Sequence, residues 1–429
     1  MGLDILLVDC LTTGEGTRKF TRDFIGSGPR YVAGFIEAIS KHKVQVHLMR
    51  GDTILENAKS IFSKYPIIGF SAMTMDIPIV RKLLALWNNY HTNPDLRLSF
   101  LGGPIVCDPK ILPSLPFDFA VPGEAEESLT ALFSDNLEKI QSYFTRSDQS
   151  TMNTPNVQWK TALLSTIPGI IFPDSPSQTL ISNPSVDPTI NQQAFRQSSG
   201  YPKYIQQYSD FQHARIYVEC LRGCSNYRRT SLKLFNKKQC ADEPCAVCRG
   251  DSFTTQLQCP AAIPPGCGFC STIAQFGTVN SRDIDAIVKE INTLINMGAK
   301  RIVLGGPDFL DYYRERSSPK ALINPTHPEP NYPALETLID NLLQNPKIRD
   351  HEVQLFIENI KASLCTDRAL QIISRIPSPI FSIGCETGSS EFADILGRPS
   401  DPRIVLDAVQ RAIALGIRIH VYFIHSLPG

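Results

Sequence analysis

The sequence predicts an α/β protein made of two parts, a doubly wound open sheet followed by part of a β/α barrel. Over residues 1–145, short apolar runs alternate with helical patterns, as in parallel sheets with crossover helices. The alternation is lost over residues 146–212 and returns over residues 213–429. A chain of 429 residues is also too long for one ordinary core, which favours two domains and a connecting segment.

The first part contains five apolar runs that predict buried parallel strands and three intervening helical patterns. The strands are Ile5–Val8, Val44–Met49, Ile67–Ser71, Leu96–Leu101 and Phe119–Val121, and the helices are Tyr31–Ser40, Ile77–Asn89 and Ala125–Phe133. In such a sheet, ligands bind outside the carboxyl ends of the strands. Glycines in the loops at these ends let the backbone approach a bulky ligand. These loops are Asp9–Gly14, Gly69–Thr74, Gly102–Pro104 and Gly123–Glu126.

Residues 146–212 are rich in Pro, Ser, Asn and Gln, and predict a connector with one small hairpin around Gly169–Asn183. Five further strands follow, at Ala214–Glu219, Arg301–Gly305, Val353–Ile357, Ile380–Gly384 and Arg418–Ile424. Helices are predicted at Asp283–Met297, Pro333–Leu343, Ala369–Ile376 and Ile404–Leu415. With right-handed crossovers these elements form a partial (β/α)6 barrel. Because the sequence stops directly after a strand, we expect an incomplete C-terminus.

Seven of the twelve cysteines lie within the 47 residues from Cys224 to Cys270, and the run ends in Cys259-x7-Cys267-x2-Cys270. No secretion signal is evident, so the cysteines predict a cytoplasmic protein with metal-binding thiolates rather than disulfides. Three thiolates so close together suit an iron–sulfur cluster that keeps one iron free. They follow the first barrel strand, which predicts a site at the mouth where barrel enzymes keep their active sites.

The bulk composition argues against two classes of partner. The 42 basic and 42 acidic residues balance, so no general charge attracts nucleic acid or an anionic membrane. No apolar run approaches the length that spans a bilayer. We therefore expect neither a nucleic-acid partner nor a membrane.

Several motifs of the second part together resemble the radical S-adenosylmethionine (SAM) family, over about residues 214–429 and in the family's order. They are Arg222-Gly223-Cys224, Pro-Gly-Cys267-Gly-Phe-Cys270, Gly305-Gly306-Pro307-Asp308, Ile383-Gly384-Cys385-Glu386-Thr387-Gly388 and the closing Leu-Pro-Gly. The first part resembles the cobalamin-binding domain that precedes many of these barrels, through Gly69-Phe-Ser-Ala-Met-Thr74, Leu101-Gly-Gly-Pro104 and Gly123-Glu-Ala-Glu126. The resemblance implies a Rossmann-like cobalamin-binding domain at 1–145, a connector at 146–212 and a radical SAM barrel at 213–429. The barrel would carry a Cys-rich insertion at 221–258.

In the radical SAM family, the free iron of a 4Fe–4S cluster chelates SAM, and one electron then cleaves SAM to a 5′-deoxyadenosyl radical. The resemblance implies that Phe269 lies near the adenine and that the carbonyls of Gly305 and Gly306 meet the methionine amino group. It places Glu386 at polar groups of the ribose or methionine, although a solvated strand-end acid is the simpler interpretation. Arg398 would meet a SAM carboxylate, unless it is an exposed surface arginine.

For cobalamin, the resemblance implies a site along the strand-end loops of the first part. Its members are Ser71, Thr74, Gly102, Gly103, Gly123 and Glu124. The alternative role of Ser71 and Thr74 is to cap the next helix. Asp9-Cys10-Leu11-Thr12-Thr13-Gly14 has the spacing of the Asp-x-His-x-x-Gly loop whose His ligates cobalt. Leu11 stands at the His position, so the lower cobalt face would have no His ligand.

Two assignments of the cysteines remain open. In the favoured one, Cys259, Cys267 and Cys270 hold the SAM cluster, because Cys259-Pro260 begins a compact local loop. Cys224, Cys240, Cys245 and Cys248 then form a second set. In the other, Cys224 is the first ligand, as the family's Arg-Gly-Cys position implies, and Cys259 joins the second set. The spacing of the second set suits zinc or another iron–sulfur cluster, or the set binds nothing.

The resemblance thus implies a cobalamin-dependent radical SAM methyltransferase, of class B. It would move a methyl group from SAM via methylcobalamin to an unactivated carbon of a protein or peptide residue, and would need an external one-electron reductant. In outline it is similar to the enzymes that C-methylate methyl-coenzyme M reductase, such as the glutamine methyltransferase. The motifs assign no catalytic side chain. The alternatives are a cobalamin-binding radical SAM enzyme of non-methylating chemistry and a zinc-dependent binding module.

Overall fold

The computed structural model describes residues 2–10, 24–91, 93, 96–108, 110–145, 157–174, 179–232, 245–250, 255–256, 258–261, 263–318 and 320–427, apart from the side chains of residues 145, 157–158 and 248–249. The chain divides into two compact units. The first comprises Met1–Phe195 and Gly200–Phe211, and the second Arg196–Ser199 and Gln212–Gly429. None of the helices described in these ranges is long and apolar enough to cross a membrane.

The first unit is built on a mainly parallel sheet. The strands in this part of the chain are β1 (Leu3–Asp9), β2 (Phe24–Ile25), β3 (Val44–Arg50), β4 (Ile67–Ser71), β5 (Leu98–Gly102), β6 (Phe119–Val121), β7 (Ile171–Pro173) and β8 (Leu180–Ser182). Seven of them are hydrogen-bonded in the order β3-β1-β4-β5-β6-β7-β8. The pairs from β3 to β6 are parallel, which confirms the predicted α/β sheet with crossover helices.

Helices cover this sheet because their apolar faces are buried against it. They are α1 (Gly28–Ile39), α2 (Gly51–Glu56), α3 (Ala58–Phe62), α4 (Ile77–Tyr90), α5 (Glu126–Thr130), which continues as a π-helical turn over Ala131–Asp135, α6 (Leu137–Thr145), α7 (Val157–Leu164) and α8 (Pro188–Arg196). On α4, for example, Val80, Leu83 and Leu84 recur at helical spacing and are fully buried. The predicted helices at 31–40, 77–89 and 125–133 lie on α1, α4 and α5 with its π-turn.

Most of the segment predicted as a connector belongs to the first unit. The strands β7 and β8 form the antiparallel hairpin expected around Gly169–Asn183, and β7 pairs with β6 at the edge of the sheet. The reason is burial, since Ile167, Phe172 and Phe195 are at most 1% exposed. Adding a hairpin here also covers an edge that the parallel strands would leave bare. The composition of residues 146–212 predicted a linker because Pro, Ser, Asn and Gln are frequent there, although six buried apolar residues lie within residues 159–172.

The second unit contains seven strands among the described residues. They are β9 (Arg215–Glu219), β10 (Leu221–Arg222), β11 (Asn280–Ser281), β12 (Arg301–Gly305), β13 (Gln354–Ile360), β14 (Ile380–Glu386) and β15 (Arg418–Phe423). Five of them are parallel neighbours in the order β15-β14-β13-β12-β9. The five predicted barrel strands lie on these elements, with ends that differ by at most three residues.

Helices of the second unit connect these strands. They are α9 (Ala246–Arg249), α10 (Thr272–Phe276), α11 (Ile284–Asn296), α12 (Tyr332–Leu343), α13 (Pro346–Arg349), α14 (Asp367–Ser374), α15 (Ser390–Ile395) and α16 (Pro402–Ala414). Leucine and isoleucine side chains on one face of the sheet are buried; Ile302, Leu304 and Ile357 are at most 2% exposed. The opposite face carries Glu219, Gly305 and Glu358. Glu219 on β9 is paired with Gly305 on β12. Glu358 on β13 comes directly after Ile357, the partner of Leu304. Two carboxylates therefore lie on either side of a glycine on this face.

Candidate active site

The segment that contains the cysteines lies between β10 and β11, which pair with each other as a two-stranded ribbon. Strands β10 and β11 pair antiparallel, with Leu221 opposite Ser281 and Arg222 opposite Asn280. Gly223 follows at a φ of 72°, where a Cβ would lie 2.0 Å from the carbonyl oxygen of Thr278. The next residue donates its N–H to the carbonyl of Gly277 over 3.2 Å. Only glycine fits this approach of two backbones, and it fixes the position of Cys224.

Asn226 joins two of the cysteines. Its backbone N–H lies 3.4 Å from the Sγ of Cys224, and its side-chain Nδ2 lies 3.3 Å from the Sγ of Cys267. The same Nδ2 donates to the carbonyl of Gly397 over 2.9 Å. A turn in which Cys270 donates its N–H to the carbonyl of Cys267 brings the third thiol to the same loop. Asn226 therefore joins the sulfurs of Cys224 and Cys267, and a backbone hydrogen bond joins Cys270 to Cys267.

Cys259 does not share in this arrangement. Among the hydrogen bonds between described residues, none joins Cys259 to Asn226, Cys267 or Cys270. Cys240 and the side chain of Cys248 lie outside the described residues, so the second cysteine set stays a prediction. Of that set, Cys245 stands immediately before α9. Within the described ranges, no three His, Cys, Asp or Glu side chains converge as ligands of a single metal ion.

The thiols nevertheless fit an iron–sulfur cluster. A cubane spreads its protein ligands over different iron atoms, so the ligands need not meet at one point. The sulfur of Cys267 has two N–H donors, from Asn226 and from Arg398 at 3.6 Å, and such hydrogen bonds are a usual feature around cluster thiolates. Cys270 is exposed, which leaves that side of the loop open.

Arg398 lies at the centre of the site rather than on the surface. Its guanidinium donates to the carbonyl of Gly384 over 2.5 Å and lies 3.7 Å from the Oε1 of Glu386. It also stacks 5.9 Å from the ring centre of Phe269. The side chain is only 14% exposed, and its buried Nε has no hydrogen-bond partner among the described residues. A buried, incompletely satisfied guanidinium is suited to an anionic ligand.

Glu386 is likewise not a solvated strand-end acid, because its side chain is 12% exposed. Burial raises the pKa of its carboxyl, and the charge of Arg398 only partly opposes that shift. The residue adopts a φ of 66° at an irregularity in the β14–β15 pairing, which turns the backbone at the strand end. The structure thus brings Phe269 and Glu386 together with two residues that sequence reasoning set aside or missed, Arg398 and Asn226.

Gly306 is required by packing, and Gly305 is hydrogen-bonded to the neighbouring segment. The carbonyl of Gly305 accepts the N–H of Cys220 over 2.8 Å. A Cβ on Gly306 would lie 2.7 Å from a side-chain carbon of Leu221. The N–H of Gly306 donates to Glu358 over 3.1 Å. The two glycines therefore bind the end of β12 closely to β9, β10 and β13.

Glu358 is a partly buried carboxyl on the face of the sheet that also carries Glu219. Burial raises its pKa to about 7, and the neighbouring charge of Glu219 adds to the shift. Glu219 itself is paired with Arg222 at 3.1 Å. Among the described residues, no cationic side chain lies within 4.0 Å of Glu358.

The predicted cobalamin residues lie at the carboxyl ends of three adjacent strands of the first unit. Ser71 ends β4, Gly102 ends β5, and Gly123 follows β6. Gly103 has a φ of 87°, and a Cβ there would lie 2.6 Å from the carbonyl oxygen of Ala72. Glu124 is half-buried beside Gly123. Ser71 and Thr74 do not have the alternative capping role. At this turn the backbone N–H of Met73 donates to the side chain of Asp76 instead.

The end of β1 is covered by a tyrosine of the same unit. The hydroxyl of Tyr208 donates to the carboxylate of Asp9 over 2.8 Å, and Arg50 lies 5.2 Å from the centre of the Tyr208 ring. Asp9 is 4% exposed. The position that lacks the expected histidine, Leu11, lies outside the described residues.

Comparison with known proteins places these features in context. Residues 258–429 match the Radical SAM superfamily; the match begins beyond Cys224. Two uncharacterized proteins are similar over the whole chain. One, MJ1620 of Methanocaldococcus jannaschii, is 35% identical over 99% of this chain and 73% of its own length. The other, MK0932 of Methanopyrus kandleri, is 31% identical over 100% of this chain and 71% of its own length.

Two solved structures have a similar fold. The cobalamin-dependent S-adenosylmethionine radical enzyme OxsB, with aqua-cobalamin and S-adenosylmethionine bound, matches with a TM-score of 0.64 at 15% identity and covers 99% of this chain. The chain spans about half of OxsB, 49% of its length. The radical S-adenosylmethionine methyltransferase TsrM from Kitasatospora setae, with cobalamin and a 4Fe–4S cluster bound, matches with a TM-score of 0.58 at 11% identity, over 99% of this chain and 69% of TsrM.

Proposed function

The chain belongs to the radical SAM superfamily, and from that premise we propose that it is a cobalamin-dependent methyltransferase acting on an unactivated carbon of a protein or peptide. Membership of this superfamily implies a 4Fe–4S cluster and SAM as cofactors. When bound, the cluster supplies the electron that cleaves SAM to a carbon radical, and cobalamin supplies the methyl group. The protein's own residues hold these groups and exclude water from them.

We assign the cluster to Cys224, Cys267 and Cys270. The carrying observation is Asn226, which contacts the sulfurs of Cys224 and Cys267 at once. This reverses the preference for Cys259 that the compact local loop suggested. Cys259 then belongs to the second set with Cys240, Cys245 and Cys248, for which zinc or a further iron–sulfur cluster is the proposed occupant.

The SAM site is proposed at the ends of β12 and β14. Phe269 offers an aromatic face for the adenine, and Gly305 and Gly306 bring backbone close to the methionine end. Arg398 is the proposed partner of the SAM carboxylate, since its guanidinium is buried, has an unsatisfied Nε and lies beside the cluster loop. Glu386, held at 3.7 Å by the same guanidinium, is the proposed partner of ribose or amino groups.

Cobalamin is proposed to bind at the strand-end edge of the first unit. Gly102, Gly103 and Gly123 leave backbone without side chains there. Met73 and Met75, on the turn after β4, are 43% and 55% exposed. Exposed thioethers provide adaptable apolar surface for a large planar ligand. Ser71, Thr74 and Glu124 supply polar groups at the same edge.

The test of the cluster assignment is a comparison of Cys224→Ala with Cys259→Ala in the full chain, purified without oxygen. We expect Cys224→Ala to lose iron and the cleavage of SAM to 5′-deoxyadenosine after addition of a reductant. Cys259→Ala should keep SAM cleavage and serves as the matched control, because any metal it loses belongs to the second set. A Cys259→Ala variant that loses cleavage while Cys224→Ala retains it would reject the assignment.

The test of methyl transfer uses the wild-type chain with SAM, cobalamin and a reductant. Candidate substrates include peptides of methyl-coenzyme M reductase, and the expected product gains the mass of one methyl group. The proposal also requires that the protein bind one equivalent of cobalamin, as measured in the visible spectrum. SAM cleavage without any methylated product would favour a non-methylating radical enzyme, and a colourless protein containing only zinc would favour a binding module.

A further inference from the structure

Four ionisable side chains are buried next to Ser225, the residue that follows Cys224. We call Asp308, Asp311, Arg314 and Lys361 the buried ion cluster. The side chains of Asp308, Asp311 and Arg314 are completely buried, and that of Lys361 is 10% exposed. They come from the segment that follows β12 and from the residue that follows β13. Neither the cysteine motif nor the SAM residues proposed above include them.

The buried ion cluster holds Ser225, the residue next to Cys224, from several sides. The Ser225 hydroxyl lies 2.9 Å from both carboxylate oxygens of Asp311, and its N–H donates to the same carboxylate over 3.3 Å. Its Oγ accepts from Lys361 Nζ over 2.9 Å and from Arg314 over 3.2 Å. The backbone beside the proposed cluster ligand is therefore fixed by charged groups.

The charges within the buried ion cluster are matched. Lys361 Nζ contacts Asp311 and lies 3.0 Å from the Oδ2 of Asp308, while Arg314 also contacts Asp311. The remaining acceptor of Asp308, Oδ1, receives the backbone N–H groups of Leu310 at 3.2 Å and Lys361 at 3.0 Å. Two cations and two carboxylates thus form a set with no net charge.

Stability alone is a weak explanation for such a set. Burying ions removes their hydration, and replacing buried ion pairs by well-packed apolar groups is often neutral or even stabilising. The position of Lys361 suggests another role, because its Nζ lies 2.9 Å from the Oγ of Ser225, the residue next to Cys224. Net charge and hydrogen bonding around the thiolates are among the factors that set the reduction potential of an iron–sulfur cluster.

We propose that Lys361 is a positioning residue that fixes the backbone beside Cys224 and balances the buried carboxylates there, so that the bound cluster is easier to reduce than it would be beside an unbalanced carboxylate. This inference rests on the proposed function, since it requires the cluster. Reduction adds an electron, so a nearby cation stabilises the reduced form and a nearby carboxylate opposes it. Lys361 and Asp311 should therefore shift the reduction equilibrium in opposite directions.

The experiment is a redox titration of the full chain, reconstituted with iron and sulfide without oxygen and followed by electron paramagnetic resonance. At a fixed solution potential, Lys361→Met should lower the ratio of reduced to oxidised cluster about tenfold, which equals about 59 mV for a one-electron couple. Lys361→Arg should stay near wild type, and Asp311→Asn should raise the ratio. Lys300→Met, an exposed lysine before β12, is the matched control and should not change it.

The outcomes separate this inference from its premise. Wild-type protein that takes up no cluster would overturn the proposed function and this inference with it. Cluster-containing Lys361→Met with the wild-type potential would overturn the inference alone, as would a shift of Lys361→Met and Asp311→Asn in the same direction. If Lys361→Met fails to hold a cluster, Asp311→Asn decides the matter: a higher ratio supports the inference, and an unchanged or lower ratio overturns it.

Discussion

Replacement of Gly223 by alanine should weaken the cluster loop more than an ordinary glycine substitution does. At a φ of 72°, any non-glycine residue pays about 1–2 kcal/mol. The new Cβ would also lie 2.0 Å from the carbonyl oxygen of Thr278. This atom belongs to the backbone and cannot rotate away, so the loop must move. The 3.2 Å bond from Cys224 N–H to Gly277 is then lost, at a cost of about 1 kcal/mol.

We therefore expect Gly223→Ala to lower the free energy of unfolding by about 2–3 kcal/mol and to lose most of its iron. Gly416→Ala is the control, because Gly416 has a φ of 75° in the same unit but its Cβ would meet nothing within 4 Å. The assays are denaturant unfolding of the iron-free chain and the iron-to-protein ratio after reconstitution. Equal destabilisation and equal iron in the two variants would refute the reasoning.

Three further predictions concern other sites. The folded pKa of Glu358, about 7, lies above its unfolded value of about 4.3, so wild-type stability is highest at low pH and is lost as pH rises through 7. Glu358→Gln should therefore gain stability relative to wild type between pH 5 and 8, by at most ~3–4 kcal/mol. A difference in melting temperature that does not depend on pH would contradict this. Tyr208→Phe should cost about 1–3 kcal/mol because it removes the hydroxyl that donates to the carboxylate of Asp9. Denaturant unfolding measures this cost, and a change below about 0.5 kcal/mol counts against the prediction. Arg398→Gln should keep its iron but bind SAM at least about tenfold more weakly in equilibrium dialysis, whereas Arg403→Gln, whose side chain is 84% exposed, should match wild type.

The strands and the larger helices could be predicted because each carries its own periodic apolar pattern. The strands β4, β6 and β12 have the predicted bounds, because nearly all of each strand is a buried apolar run. The hairpin β7–β8 was recognised, but its membership of the first sheet was not. That membership depends on the pairing of Ala120 with Ile171 across some fifty residues of sequence, and no local pattern encodes such a pairing.

The candidate site was predictable only where a motif carries the chemistry. Phe269, Glu386 and the cysteines stand in recognisable motifs. Asn226 has none, because its role arises from the close approach of Cys224 and Cys267, 43 positions apart in the printed sequence. Arg398 was set aside as a surface residue, because burial of an arginine depends on contacts with β14 and the cluster loop rather than on its neighbours in sequence.

The contacts of Ser225 also bear on the order in which the molecule is assembled. Its bonds to Asp311 and Lys361 span 86 and 136 residues of sequence. At a synthesis rate of ~5–20 residues per second, Lys361 leaves the ribosome roughly 7–27 s after Ser225. The thiol of Cys224 is therefore made well before its support exists. Delivery of iron and sulfide should be productive only after β13 has joined the sheet, and thiols exposed earlier need protection from oxidation.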